Sequence, residues 1–506
     1  MIKFILSLSI LSFMFLSMKG QVTQPERIEV ESNKEYYDFV VIPIPEKRIL
    51  VSFTEKHTDK TFTKHFQLRN EHLKIIKKTS HSFKKTYKTN KTHTLTTQDN
   101  IAGKYYYMLQ NRKNGDYTLV TINLNDLSDK RINGMLSKKV YPSELHVLGE
   151  YAYYTFQQKG KYSLHSINLK TGTSKAYNPK DIVGKNTGIS DMQIIGKGDK
   201  RELWIEYFST ISKNHRNSTI IRFDSDNRQL KSFHLNDTEK RKHFDITSSP
   251  AKDGGYFVYG TYSSNKRGED SEGIYIARIS LTGELNFMDY INYLDLNNYT
   301  SYLSDKKEYH TQKKKTKKAK QGKELKLKSR MTIHDIFEQN GQYILIGESY
   351  YPTYRTEYYT DANGASHPKT IFDGYQYSHA AVLGFSKEGK MLWNQTFKMW
   401  VKYKPFYVKQ FLTASENGKQ LKIMYATSSN IKSISLLDGK IISDRSVNIV
   451  VTTHKNDKVK YTTGTEINYW YGKTFFSYGY QKIKNKKDEN VDKKRFVYYI
   501  NKIKFL

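Results

Sequence analysis

FDITSSPAKDGGYFVYG (residues 244–260), followed by IYIARISLTGELNFM (residues 274–288), is the stretch that decides the fold. Both are runs of β-branched and aromatic residues, often alternating, broken at Gly254 and Gly283. That is the pattern of two consecutive hairpins, since glycine supplies the positive φ a tight turn requires. Four short strands therefore form one unit, and the unit recurs about every 50 residues from Tyr37 to Leu506. Working outward, the first turn returns at Glu46, Gly103, Gly149, Gly198, Gly341, Gly418 and Gly472. A second turn, between a third strand and a shorter fourth, returns at Asn70, Asn125, Gly172, Asp226, Gly389 and Gly439. Repetition at this period points to small sheets set in an array or a propeller.

The last unit stops after its third strand, RFVYYINKIKFL (residues 495–506). A fourth strand must come from elsewhere, and ERIEVE (residues 26–31) has the alternating character to supply it. Closing a ring with a strand from the opposite terminus removes an exposed edge that would invite aggregation. The expected fold is all-β: a single propeller of four-stranded blades, eight in number, with seven the alternative if a terminal unit is irregular. Units such as residues 274–288 and HAAVLGFSKEGKMLWNQTF (residues 379–397) resemble the repeats of secreted β-propeller proteins of Bacteroidetes-like bacteria. The resemblance implies architecture and no particular activity. The chain also resembles quinoprotein-type propellers, whose repeats place Trp regularly. Among its four Trp, however, only Trp393 occupies such a place, so no quinone or other cofactor is expected.

The chain start reads as a secretory signal peptide over residues 1–20, followed by a propeller domain over 21–506. Lys3 precedes an apolar run over residues 4–18, and Gly20 offers a small residue for cleavage. The run is short for a spanning helix, which needs roughly 20 residues. No later segment is long and apolar enough to span a bilayer, so a secreted or periplasmic protein, or one at the cell surface, is expected. With no cysteine, disulfides, thiolate nucleophiles and Cys–zinc sites are excluded. The balance is basic, 83 Lys plus Arg against 50 Asp plus Glu, net +33. Such charge draws polyanions, including acidic glycans. Lys far outnumbers Arg, however, and Arg is the residue whose forked geometry recognises phosphate and carboxylate.

Two insertions break the period. The first, near residues 296–331, contains KKKTKKAKQGKELKLKSR (residues 313–330). It reads as a polybasic arm for an anionic partner, and structurally as a disordered, self-repelling loop. It lacks the interleaved aromatics that grip single-stranded nucleic acid, so specific nucleic-acid binding is not expected. The second, near residues 348–380, carries Tyr350, Tyr351, Tyr354, Tyr358, Tyr359, Tyr375 and Tyr377, with Arg355, His367 and His379. These ten residues are the candidate ligand-binding set, because Tyr offers a large rigid face and a hydroxyl to a protein or sugar. The plain alternative is that the aromatics extend and cover the blade's hairpin.

Catalytic motifs are missing: no HExxH, no GxSxG and no P-loop. Ser82 with Lys85 and Ser304 with Lys307 match SxxK, a spacing common by chance in so Lys-rich a chain. Asp224 to Arg228 begins like a calcium loop but places Arg where an oxygen ligand belongs, so it reads as a turn and no metal site is expected. Sequons at Asn217, Asn236, Asn298 and Asn394 matter only in a eukaryotic secretory host. The function expected is a secreted, non-catalytic, monomeric scaffold that binds a protein or glycan. The alternative is a lyase or hydrolase acting on an anionic polysaccharide, with a Tyr or His base beside Arg355.

Overall fold

The structure is a computed structural model. It describes residues 22–32, 36–56, 61–84, 92–99, 102–111, 115–136, 142–158, 161–177, 182, 185–196, 198–212, 215–235, 241–251, 254–264, 270–401, 403–415, 418–427, 430–448 and 452–505. The signal-peptide reading of residues 1–20, Lys85 and Asn236 lie outside these residues.

The fold is an eight-bladed β-propeller of four-stranded antiparallel blades, and seven of the blades are built from consecutive strands. The eighth takes Val22–Glu31 as its outer strand, paired antiparallel with Lys494–Phe505. The strand expected at residues 26–31 thus does complete the last blade. An ion network reinforces the join: Arg27 Nε meets Glu29 at 2.8 Å, and Arg495 reaches Glu29 at 3.4 Å and Asp457 at 2.8 Å.

The chain divides into two compact units. One holds the described parts of residues 1–55, 65–78 and 411–506, with cores such as Val41, Ile49, Trp470 and Ile500. The other holds residues 56–64 and 79–410. Within it, successive blades bury aromatic and β-branched faces against each other, as Trp204, Phe233, Tyr262 and Tyr275 do. Alternation along each strand puts these residues on the faces that meet the neighbouring blade.

All seven glycines expected at first turns have positive φ, from 53° at Gly472 to 106° at Gly418. The second turns show a device that differs from the one expected. Positive φ falls on Leu73, Leu127 and Asn227, not on Asn70, Asn125 and Asp226. The residue closing the third strand carries the turn instead. Asn70 Oδ1 accepts from the backbone N–H of His72 and Lys74, both at 3.0 Å. Asn123, Asn168, Asp224, Ser280 and Ser386 accept from backbone N–H groups two to four residues on in the same way. At these six turns a short polar side chain adds to the backbone bond that closes the turn. Asp224 is fully engaged so, with Arg228 Nε at 2.9 Å from its other oxygen, as a hairpin turn requires.

The Lys-rich insertion is not the disordered loop expected from its charge. Residues Asp305–Ala319 form an α-helix, the one α-helix among the described residues, with Asp305 and Glu308 in its first turn and Lys317 and Lys318 in its last. Those charges suit the helix dipole, and Lys and Gln are good helix formers. Repulsion between exposed lysines is screened by water and salt. The segment before the helix is anchored: Tyr293 and Tyr299 are buried and stacked with centroids 4.8 Å apart. Thr300 Oγ1 donates to Glu308 Oε1 at 2.8 Å, and Lys315 Nζ reaches Asp295 at 3.1 Å. No helix among the described residues is long and apolar enough to cross a membrane.

Candidate functional site

Two features of the larger unit could carry function. The first is the Tyr-rich insertion, which is an extension of its blade. Strands Gln342–Thr360 and Ser366–Phe385 pair from Tyr343 opposite Phe385 out to Thr360 opposite Ser366. The flanking strands end at Tyr350 and His379, so beyond that point the two strands stand as a two-stranded arm. The tip is tied by Asp361, whose Oδ1 accepts from the N–H of Asn363 and Ala365 at 2.9 Å, while Oδ2 pairs with His367 Nε2 at 2.8 Å.

The arm separates the ten candidate residues. Tyr351, Tyr354, Tyr358 and Tyr359 are exposed, Tyr358 to 73%. Tyr350 and Tyr375 are half-buried and meet edge-on at 5.2 Å between centroids. Arg355 is held by Glu357 at 2.6 Å, and His367 is spent on the tip. Tyr377 and His379, expected at the ligand surface, are buried. Tyr377 donates its hydroxyl to the Lys409 carbonyl. His379 stacks on Tyr302 at 4.1 Å and meets Tyr299 edge-on at 4.5 Å. Burial holds its pKa down at about 3, so it is a neutral packing residue. His379 falls where its strand is still covered by the blade, and Tyr377, just past the end of the flanking strand, is covered by the segment that carries Lys409.

Sequence reasoning overlooked the segment that docks on the base of the arm. Tyr375 N–H donates to the Pro405 carbonyl at 2.8 Å, Gln376 Nε2 to the Val401 carbonyl at 2.8 Å, and Lys404 Nζ pairs with Asp373 at 2.9 Å. Gly374, at φ 90°, is required there: a Cβ would sit 2.7 Å from the Lys404 carbonyl oxygen. This segment displays Trp400, Tyr403, Phe406 and Tyr407, with Phe406 exposed to 69%. Phe372 links the two groups, edge-on to Tyr354 at 5.9 Å and to Phe406 at 6.0 Å. A motif search passes over these residues because only the three-dimensional docking makes them one surface with the arm.

The second feature is a recess of about 450 Å³ lined by the first strands of the third to sixth blades. Glu144 comes from Pro142–Leu148, Asp191 and Gln193 from Lys185–Ile195, Ser248 from Lys242–Pro250, and Asp335 from just after Arg330–Ile333. The pairing slips immediately before Glu144, immediately before Asp191, and across Asp245. Such bulges re-aim side chains. Asp245 sits in the left-handed region at φ 43°, where a non-glycine residue is strained.

The electrostatics are unusual. Burial first, then Asp191, pushes Glu144 up to about 7. Burial raises Asp191 to about 6, and burial with Asp191 raises Asp245 to about 7. Asp245 does not line the recess and has an exposed edge, yet protein surrounds it closely enough to deny it full hydration. Asp335 is raised by burial, and His146 is lowered by burial to about 4. Glu206, directly opposite Asp191 in the sheet, is wholly buried and raised well above the ordinary carboxyl range.

No protein-family model and no curated protein matches the chain. Among solved structures it is similar to the Dos1 propeller, at 10% identity over 94% of this chain and 95% of that one, with a TM-score of 0.41. It is also similar to the polysaccharide lyase Uly1, at 9% identity over 81% and 89%, TM-score 0.40. TolB from Acinetobacter baumannii matches at 12% identity over 78% of each chain, TM-score 0.27. These likenesses carry no ligand and no chemistry over to this chain.

Proposed function

We propose that this chain is an exported, monomeric, non-catalytic scaffold, freed of residues 1–20, that binds a protein partner through the aromatic arm and the segment docked on it. The observation behind this reading is the exposure of Tyr354 and Phe406, joined through Phe372, with Tyr358 further along the arm and Trp400 on the docked segment exposed as well. Exposed Tyr, Trp and Phe in one patch are the residues that dominate protein interfaces. The arm's charges are compensated internally: Arg355 by Glu357, His367 by Asp361, Lys404 by Asp373. Glu357 also stands opposite Lys369 in the pairing. That pattern favours a protein surface over an acidic glycan, which would call for free cations. It also disfavours the lyase, whose base and cation would converge in a recess, whereas Arg355 and His367 lie along an extended ribbon.

A photo-cross-linking residue at position 358, placed in the cells that make the protein, tests this. The expected result is one discrete heterologous adduct, lost when Trp400→Ser and Phe406→Ser are introduced together, and not formed from position 442. No adduct, or an adduct at twice the chain's own mass, overturns the reading of a monomer with a protein partner. Selective, salt-resistant binding of one glycan that the same two substitutions abolish would replace the protein by a sugar.

A further inference from the structure

The recess inverts the charge of the whole chain. The protein carries 83 Lys plus Arg against 50 acidic residues, yet the acids Glu144, Asp191 and Asp335 line the recess, and among the described residues no Lys or Arg does. His146 is neutral near pH 7 and does not offset them. Glu206 lies on the same sheet face as Asp191, and electrostatic coupling ties it to both Asp191 and Asp245. It is 0% exposed, and its Oε1 has no hydrogen-bond partner among the described residues. The buried Oε2 of Glu144 has none either. Buried carboxyl oxygens without donors cost folding free energy, and a cationic donor would both satisfy them and favour their ionised form.

The shape decides which cation. Among the described residues no three acidic or His side chains converge closely enough to hold a metal ion. The carboxylates are instead spread around a recess of about 450 Å³, the size of a small-molecule site. Met192, Ile194 and Ile336 add apolar walls. We propose that the recess binds an amine or guanidinium compound, its cationic head among Glu144, Asp191 and Asp335 and its aliphatic stem along Met192, Ile194 and Ile336. A guanidinium brings five N–H donors in a fork and an ammonium three, which suits several separated acceptors. Long aliphatic stems pack on apolar walls while the head stays among polar groups. Free polyamines and Lys or Arg side chains of peptides share this chemistry. The site is independent of the aromatic arm.

Isothermal titration of the purified chain with agmatine, spermidine, N-acetyl-Gly-Arg-Gly amide, its citrulline counterpart and calcium chloride tests the assignment. One of the three cationic organic probes is expected to bind, with the citrulline peptide silent. Affinity should fall roughly tenfold or more in Glu144→Gln and in Asp191→Asn, as loss of a charge-assisted contact implies. It should be unchanged in Asp226→Asn, on an exposed turn. Binding of agmatine or spermidine alone assigns a free polyamine, and binding of the peptide alone assigns a presented Arg side chain. The amide variants keep side-chain volume and relieve repulsion, and circular dichroism checks that they fold. Three results overturn the proposal: no cationic organic probe binds, binding persists in both variants, or calcium alone binds and is lost in them.

Discussion

Glu144→Gln is expected to stabilise the protein, and to do so only as pH rises. Glu144 is held at about 7, against an ordinary 4.5, by burial and by the charge of Asp191. In the folded protein it keeps its proton to about pH 7, whereas the unfolded chain releases it near 4.5. Between these limits the native state binds more protons, so stability falls as pH rises and then levels off. Each tenfold change in proton affinity is worth 1.36 kcal/mol, so the full penalty is about 3 kcal/mol above neutrality. At about pH 5 most of it has not developed, which leaves a growth of roughly 2.5 kcal/mol between there and about pH 8. Gln carries no proton to lose, so the variant escapes this growth. Whatever the amide gains or loses in packing and hydrogen bonding is common to both pH values and cancels in the difference. Urea unfolding of both proteins at the two pH values, read from midpoints at constant slope, gives the quantity directly. A difference that stays flat with pH would show that Glu144 ionises normally, and would remove the electrostatic argument for the recess.

Three further perturbations separate structure from function. Gly389 has φ 87° with Phe257 2.7 Å and Phe287 2.8 Å from where a Cβ would stand, whereas Gly364, at φ 82°, has nothing within 4 Å. Gly389→Ala should therefore lose well over the about 1 kcal/mol of conformational strain that Gly364→Ala pays, as urea midpoints will show. His379→Ala should cost about 2–4 kcal/mol through the lost stack on Tyr302 and Tyr299 while leaving cross-linking from position 358 intact. Lys315→Met removes the contacts to Leu294 and Asp295; amide exchange should quicken in residues 305–319 and stay unchanged in Tyr256–Ser263.

The fold was legible because turn chemistry repeats with the blade, and that repetition survives any choice of surface residues. Even the N-terminal strand followed from counting, since the last unit was one strand short. The helix was misread because a charge run was judged by its self-repulsion, and the anchors that hold it, Tyr293, Tyr299 and Thr300, precede it in sequence. The arm was legible as composition but not as geometry. Where the covered blade ends and the free ribbon begins is set by the lengths of the neighbouring strands, which no residue of the arm encodes. The recess left a trace that was readable and missed. In the larger unit an acidic residue stands within or just after the first strand of four successive blades, ahead of an apolar one: Glu144, Asp191, Asp245 and Asp335. In a chain so rich in Lys, an acid recurring at one place in the repeat contradicts the surrounding composition, and strand alternation alone gives no reason for it. The bulges at Glu144, Asp191 and Asp245 supply one, since each converts a strand position into an aimed side chain. Packing has no use for a carboxyl turned away from bulk water and toward other carboxyls. The repeated acid is therefore better explained by what the inner strands must face than by how the blades are built.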